Sequence, residues 1–520
     1  MTIPNFNEKK RFETRINNSS TVITINGATR QGFDAYVAHF ENEGFAAAEN
    51  RETESVIFTA LKNENRGVFL NYYFAVKTLT VVIEEDTKYF DFNDKGGVTL
   101  VSPQITQMSL EIFGMSYAIR LSDGRFIVID GGREFETDAT KLYNCLKRGS
   151  VSEKPVVAAW IFTHPHPDHF FCFMTFLDMY SEDVIIEKCM FTFPERDEAD
   201  RHSTLTNREK RFGYDLPPAV NIRVLHEKLS EHDIPVYSPH TGQQYAIGDA
   251  KLEILAGIDD TVHLTKDIND FSLVIRMELG GQIILWGADN LFCETDISSK
   301  YGRYLQADIL QVPHHGCQSG PVEAQIEGYR LIEPSVCLLP EDNFTTYTTN
   351  CTHRAGTKYL LRDANVAEII TGESEKTITL PYIAPKEAMA ESKRKYLAGV
   401  NACGSTAWIF SGLNTTNVED FIFTVLNATK LNANVTIELF FEDKARYLPF
   451  IRVAASSLSV KTFSIIGDEV DGDAPSLNVN YLKSLGITEN ADFAVRFISD
   501  LPIVVSHKNH LPSYISAYNG

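Results

Sequence analysis

A continuous apolar run, Val156–Phe162, stops abruptly at Thr163-His164-Pro165-His166-Pro167-Asp168-His169. A run of that length reads as a strand buried on both faces, a feature of layered α/β folds rather than of half-exposed antiparallel sheets. The loop at the C-terminal end of such a strand is where these folds place their sites. The two prolines hold the loop extended, so alternate side chains splay outward. His164 and His166 offer neutral imidazole nitrogens that suit Zn2+ or another borderline divalent cation. Asp168 and His169 add a hard oxygen and a further nitrogen. Four ligands this close in sequence do not all reach one tetrahedral ion. They suit two ions about 3.5–4 Å apart.

Two later strand tips offer what such a centre still needs. Gln282–Trp286 runs into Gly287-Ala288-Asp289, and Ile309–Val312 runs into Pro313-His314-His315-Gly316. A carboxylate at 289 can bridge two cations, and of two adjacent histidines pointing different ways one is expected to be a ligand. Further strands are expected at Leu252–Leu255, Ser272–Met277 and Val336–Leu339. Asp123-Gly124, between Tyr117–Leu121 and Arg125–Ile129, reads as a hairpin turn. Strands and helices alternate from about 103 to 385, the pattern of an α/β layered domain.

The ordered His-x-His-x-Asp-His run, the Asp289 element and the last His resemble the motifs of the metallo-β-lactamase superfamily. Phe126-Ile127-Val128-Ile129-Asp130-Gly131-Gly132 is similar to its leading strand. Within the superfamily the stretches Asn269–Val274, Val312–Gly316 and Cys351–Leu380 are most similar to the hydrolase domain of bacterial competence DNA-uptake proteins. The resemblance implies an αββα sandwich over 103–385. It assigns His164 and His166 to a first metal, Asp168 and His169 to a second, Asp289 between them and His315 as the last ligand. His314 is kept as a candidate, Asp130 as an orienting residue, and His353 as a contact near the site mouth.

Four departures accompany the resemblance. The family's third-motif histidine is not in place: Asn269 or Asp270 occupies its region, and His263 lies a few residues upstream. The Gly-Gly that follows the Asp-His is replaced by Phe170-Phe171-Cys172-Phe173, bulk that would reshape the pocket. Ala288 is inserted before Asp289, and Cys317 stands for a serine, where it reads as a buried small thiol. His226, His232 and His240 lie in polar, loop-rich sequence and read as surface or structural.

These motifs imply a metal-dependent hydrolase with a dinuclear zinc site, Mn2+ or Fe2+ being open. It would turn a metal-bound hydroxide on an ester, thioester, lactam or phosphoester, with Asp168 as proton shuttle. Two readings compete with it. The competence resemblance favours a nuclease or phosphodiesterase. The missing third-motif histidine favours a degenerate domain that binds metal or ligand without turnover. A redox di-iron centre of this superfamily normally carries Glu in place of the second histidine and adds a flavin domain, whereas His166 is present and no flavin fingerprint is seen.

Charge bears on the choice. With 69 acidic against 48 basic side chains the net charge is -21, a surface that repels a broad nucleic-acid backbone and points to a small or medium-sized substrate. No apolar stretch nears the roughly 20 residues needed to span a bilayer, and no leader follows Met1, so a cytoplasmic protein is expected. Eight scattered cysteines without a CxxC pair exclude a disulfide scaffold. Residues 1–100 read as a small α+β domain, with a strand at Thr21–Ile25, a helix at Phe33–Glu43 and β-rich sequence through Gly67–Glu84. Beyond the charged stretch Lys386–Lys395, residues 396–520 read as a small α/β domain. Its strands are Ala407–Ser411, Val435–Phe441 and Val460–Ile466, with a helix opened by the capping-box pattern Thr416-Asn417-Val418-Glu419 and another before Val460. The roles of both flanking domains and the oligomeric state are left open.

Overall fold

The computed structural model describes residues 10–85, 92–194, 218–263, 267–290, 292, 296–316, 328–340, 361, 366–385, 405–414, 420–427, 433–441, 450–455, 459–464, 492–510 and 515–518. They divide into two compact units, one running to Ile383 and the other built on Ser405–Tyr518.

The first unit opens with six antiparallel strands, β1 (Lys10–Arg15), β2 (Ser20–Asn26), β3 (Ala46–Glu52), β4 (Val56–Lys62), β5 (Gly67–Tyr73) and β6 (Thr78–Glu84), in the order β1-β2-β6-β5-β4-β3. Helix α1 (Arg30–Asn42) is capped by Thr29, whose side chain accepts from Gly32 N at 3.0 Å. It buries Phe33, Tyr36 and Phe40 against one face of the sheet. The opposite face carries Val22, Phe58, Phe69 and Val82, which share a core with Ile258, Val262, Ile268 and Phe271. This explains why β5 and β6 are buried at every position. The expected boundary at residue 100 falls inside this one compact unit: a sheet with apolar residues on both faces must bury both, and here the second face is covered by a later segment of the same unit.

Two mixed eight-stranded sheets follow. One contains β8 (Gln104–Gln107), β9 (Ser116–Arg120), β10 (Phe126–Asp130), β11 (Val156–Ile161), β12 (Ile185–Ile186), β13 (Cys189–Met190), β14 (Val236–Tyr237) and β22 (Lys376–Thr379). The other contains β7 (Asn93–Asp94), β15 (Gln244–Ile247), β16 (Ala250–Ala256), β17 (Val274–Leu279), β18 (Gln282–Trp286), β19 (Ile309–Gln311), β20 (Val336–Leu339) and β21 (Glu368–Thr371). Tyr117 of β9 meets Trp286 of β18 edge to face at 5.0 Å between the sheets. Helices α2 (Glu136–Gly149), α3 (Pro167–Tyr180) and α4 (Pro218–Glu231) cover the outer face of the first sheet, where Leu142, Phe173 and Leu225 pack on Val128 and Trp160. The parallel neighbours β10 and β11, and β18 and β19, end on the same side. That common edge carries the ligand-type residues.

The second unit is all β among the described residues, which corrects the expected α/β tail. Its strands are β23 (Ser405–Asn414), β24 (Asp420–Asn427), β25 (Ala433–Phe441), β26 (Phe450–Ala455), β27 (Ser459–Ser464), β28 (Asp492–His510) and β29 (Ile515–Tyr518). The helix expected after Thr416 is replaced by β24, where Phe423 and Val425 are buried while Leu426 between Val425 and Asn427 is exposed. That is a period of two, in which alternate side chains fill the core with Val435, Ile437 and Phe497. Sheet packing outweighed a capping pattern that spans one turn. Where the second helix was expected, β26 pairs antiparallel with β25.

Candidate metal centre

β11 ends at Ile161, three residues before His164, and Asp130 at the tip of β10 receives the segment between them. Thr163 N and Oγ1 donate to Asp130 Oδ1 at 2.9 and 3.0 Å, and the Trp160 indole donates to Asp130 O at 2.9 Å. Asp130 adopts φ 54°, a left-handed conformation held by this set of bonds. His166 is the N-cap residue of α3 and Pro167 its first helical residue, where the fixed φ of proline suits the helix start. Asp168 and His169 therefore lie in the first turn, where the helix dipole favours a negative charge at 168.

The tip of β18 shows what the inserted alanine does. Ala288 sits at φ 48°; its N–H donates to Gln311 Oε1 at 2.5 Å and its carbonyl accepts from His314 N at 2.8 Å. It ties the tip of β18 to that of β19. His314 and His315 both have left-handed backbones, φ 50° and 51°. Such conformations cost about 1–3 kcal/mol each in non-glycine residues and persist where the surroundings over-determine them.

Two groups of ligand-type atoms result. His164, His166 and Asp289 form one, and Asp168, His169 and His315 the other; within each, the ligand atoms lie within 4.8 Å of one another and every residue is buried. Asp289 faces both groups. Its Oδ2 is 3.7 Å from His164 Nε2 and 3.6 Å from His315 Nε2, and its Oδ1 is 3.3 Å from His169 Nε2. His315 Nε2 also lies 3.1 Å from Asp168 Oδ2. Asp130 Oδ2, 2.7 Å from His169 Nδ1, stands behind the two groups and fixes the His169 ring.

Charge distribution follows from this packing. Burial, reinforced by His169, pushes His164 well below the usual imidazole range, so the ring is neutral and one of its nitrogens offers a lone pair. Burial alone would lower His169 and His315, but the facing carboxylates win. Asp289 and Asp130 hold His169 well above its ordinary value, and Asp289 and Asp168 raise His315 to about 9. Burial would raise both Asp168 and Asp289, yet the His315 contact holds the first, and the charges of His169, His315 and His314 the second, well below the usual carboxylate range. For Asp130, burial outweighs His169 and raises the carboxyl.

The donor set suits divalent ions. His169 Nε2, Asp289 Oδ1 and both ring nitrogens of His315 are buried without a well-directed hydrogen bond. Each such atom costs about 1–3 kcal/mol, and four imidazoles with two carboxylates in two buried groups match the ligand preferences of zinc. His169 and His315, cationic in the bare chain, would shed protons on taking up an ion.

Other expected residues fall elsewhere. His263 belongs to neither group: its Nδ1 lies 3.3 Å from Thr24 Oγ1 and its ring stacks on Phe12 at 6.3 Å, so it faces the N-terminal sheet. His314 is outside both groups, with Nε2 4.0 Å from Asp289 Oδ2 and 3.5 Å from Asn269 Nδ2. His353 and Cys317 lie outside the described residues. Phe170, Cys172 and Phe173 do not crowd the pocket; helical spacing turns all three into the core beside Trp160 and Phe162, fully buried. Two supporting residues, Thr163 and Gln311, are not anticipated by the motifs. Gln311 does carry a signal in the sequence, a lone amide in an apolar strand.

Residues 111–242 match the model of the metallo-beta-lactamase superfamily. The span includes Asp130 and the whole 164–169 run and ends before Asp289 and His315. No curated protein matches the chain. Among solved structures, Thermotoga maritima 1070 is 15% identical over 22% of this chain and 91% of its own, with a TM-score of 0.17. The Anabaena sensory rhodopsin transducer is 22% identical over 22% and 95%, with a TM-score of 0.15. A beta-lactamase domain protein from Burkholderia ambifaria is 17% identical over 39% and 58%, with a TM-score of 0.24. At these TM-scores the three likenesses carry no argument.

Proposed function

We propose that the chain is a metal-dependent hydrolase with a dinuclear, zinc-type centre acting on a small or medium-sized ester, thioester, lactam or phosphoester. The observation that carries this reading is the pair of buried groups, His164/His166/Asp289 and Asp168/His169/His315, facing each other across Asp289. Two ions held there would supply Lewis acidity and an activated water. The residues of the chain do the rest. Asp289 spans both groups and offsets part of the cationic charge. Asp130 and Thr163 hold His169 in one orientation. Asp168, which adjoins His315, would accept a proton and pass it on. Burial of every ligand keeps bulk water from competing.

Metal analysis of the purified chain tests this. Two equivalents per chain, reduced together by His166→Ala or Asp289→Ala, are expected, and a chain that binds no metal ends the hydrolase reading. Generic phosphodiester, ester and thioester substrates then divide the classes, a phosphodiester preference supporting the nuclease or phosphodiesterase reading that the competence resemblance favours. One observation favours a binding domain without turnover: His263 is engaged at the N-terminal sheet, so one group has two imidazoles and must share Asp289. Two bound ions with no turnover on any of these substrates would select it.

A further inference from the structure

We infer that the cleft between the end of helix α2 and strands β8, β9 and β22 is a binding site for a small organic anion, an oxyanionic group on a short apolar body. It is separate from the metal centre and does not rest on the hydrolase reading.

The outer face of the first sheet is apolar beneath the helices, where it carries Ala118, Phe126 and Val128. Two strands extend the sheet past β9, and these present polar side chains instead, Gln104 and Thr106 of β8 and Thr377 of β22. Register sets them side by side: Arg120 pairs with both Gln104 and Phe126, and Thr106 with both Ala118 and Thr377. Directly opposed residues share a face of a sheet. Cys145 and Arg148, near the C-terminal end of α2, close the space from the side. The result is a cavity of about 330 Å³, at the small end of the range for small-molecule sites. In the same ladder Asp130 pairs with Ser116, at the other end of β10 from Phe126. At roughly 3.3 Å per residue, about 13 Å of strand therefore separates the cleft from the metal centre.

Two guanidinium side chains and no carboxylate line this cavity. Arg120 Nη1 and Nη2 donate to Gly149 O and Ser102 O at 3.4 and 3.0 Å, which anchors the end of α2, while its Nε is buried without a partner. Among the described residues no carboxylate pairs with Arg120, and burial draws its pKa below the ordinary guanidinium value. A guanidinium has five donors in a planar fork that matches an oxyanion, and here two are spent on backbone carbonyls. Arg148 pairs with Glu375 at the rim, but its side chain is 60% exposed and such pairs are weak. The Thr106 and Thr377 hydroxyls, 2.9 Å apart, add polar partners along the sheet. Phe126 and Ala118 give the cavity an apolar wall that a bare inorganic ion would leave unused. The donors call for an oxyanion and the wall for a short apolar body attached to it.

Ligand-observed saturation-transfer NMR titrations on the full chain test this with three probes: benzoate, phenylphosphonate and uncharged benzyl alcohol. Wild type should bind at least one of the two anions about tenfold more tightly than the alcohol. Arg120→Gln should weaken that binding about tenfold or more, the range expected when a charge-assisted contact is lost. Arg120→Lys should recover part of the loss. Because Arg120 also anchors α2, a second variant leaves that anchor alone: Thr377→Phe, at an exposed strand position, fills the cleft and should abolish binding. Asp289→Ala should bind the anion as wild type does. The anion that responds tells a carboxylate ligand from a phosphate-type one. Anion binding within twofold of wild type in Thr377→Phe overturns the proposal, as does a wild type that binds neither anion or binds the alcohol equally well. Loss of binding in Asp289→Ala with retention in Arg120→Gln also overturns it and moves the anion to the metal centre. A chain that takes up no metal ends the hydrolase reading, and the same titrations still decide the cleft.

Discussion

Asp130 Oδ2 lies 2.7 Å from His169 Nδ1, and neither residue is exposed to solvent. With Nδ1 committed to the carboxylate, Nε2 is turned toward Asp289 Oδ1 at 3.3 Å and Asp168 Oδ2 at 3.9 Å. Asp130 also holds Thr163, so one side chain fixes both ends of the ligand run. Replacing such a partner typically costs about 10–100-fold in metal affinity. Asp130→Asn, which keeps the volume and loses the charge, should weaken metal binding by that factor while the circular dichroism spectrum stays native. Competition with a chromophoric chelator measures it, and wild-type affinity in the variant would show that the orientation of His169 does not matter.

Metal should also stabilise the native chain, because the ligands come together only when it is folded. An ion at a hundredfold excess over its dissociation constant adds about 2.7 kcal/mol. Zinc should therefore raise the thermal unfolding midpoint of wild type and raise it less in Asp289→Ala, which removes the carboxylate that faces both groups. His315→Ala should lose metal and His314→Ala retain it, since only His315 belongs to a ligand group. Equal losses in the two histidine variants would contradict that division.

The clustering of the 164–169 run with Asp289 and His315 is legible in the sequence because the run is contiguous and follows an apolar strand, and because Asp289 and His315 each end a strand of the same kind. Order along the chain carried that information. The packing of the N-terminal sheet onto the segment around Ile258–Phe271 was not legible, since it depends on contacts between residues some 200 positions apart, as in Tyr73 OH to Asp260 Oδ1 at 3.1 Å. His240 shows the consequence. It sits in polar, loop-rich sequence that reads as surface or structural, and the structure selects the second: it is 1% exposed because β5 and β6 cover it. Likewise the pattern Thr416–Glu419 is a local signal for a helix, and only the alternating burial of Phe423 and Val425 shows that a sheet claims the residues after it.

His240 should make stability depend on pH. Its Nε2 lies 3.1 Å from Glu84 Oε2 and its Nδ1 3.4 Å from Asp259 Oδ2. Burial would lower its pKa, but the two carboxylates prevail and raise it from the ordinary 6.5 to about 9. The folded state therefore holds the proton more tightly than the unfolded state. The stabilisation is complete below pH about 6.5 and is lost as pH rises through about 9, and it amounts to roughly 3 kcal/mol from the size of the shift. Urea midpoints of the metal-loaded chain should fall between pH 6.5 and 9.5, and His240→Gln should flatten that slope. An equally steep fall in the variant would assign the titration to other groups.

A second buried pair makes the opposite kind of test, one of removal. Lys300 Nζ lies 2.7 Å from Asp260 Oδ2 and 5.0 Å from the Tyr73 ring, with the lysine 3% and the aspartate 0% exposed. Taking away one partner strands the other charge in an apolar setting, at a cost of about 3–5 kcal/mol, whereas replacing both by groups that need no partner is often neutral. Lys300→Met should therefore destabilise the chain by about that amount. Adding Asp260→Asn should restore a large part of it, because the Tyr73 hydroxyl can still donate to the amide oxygen at that position. Chemical denaturation of the wild type, the single variant and the double variant measures all three. A double variant no more stable than Lys300→Met alone would mean that the lysine acts through packing on Tyr73 and not by neutralising Asp260.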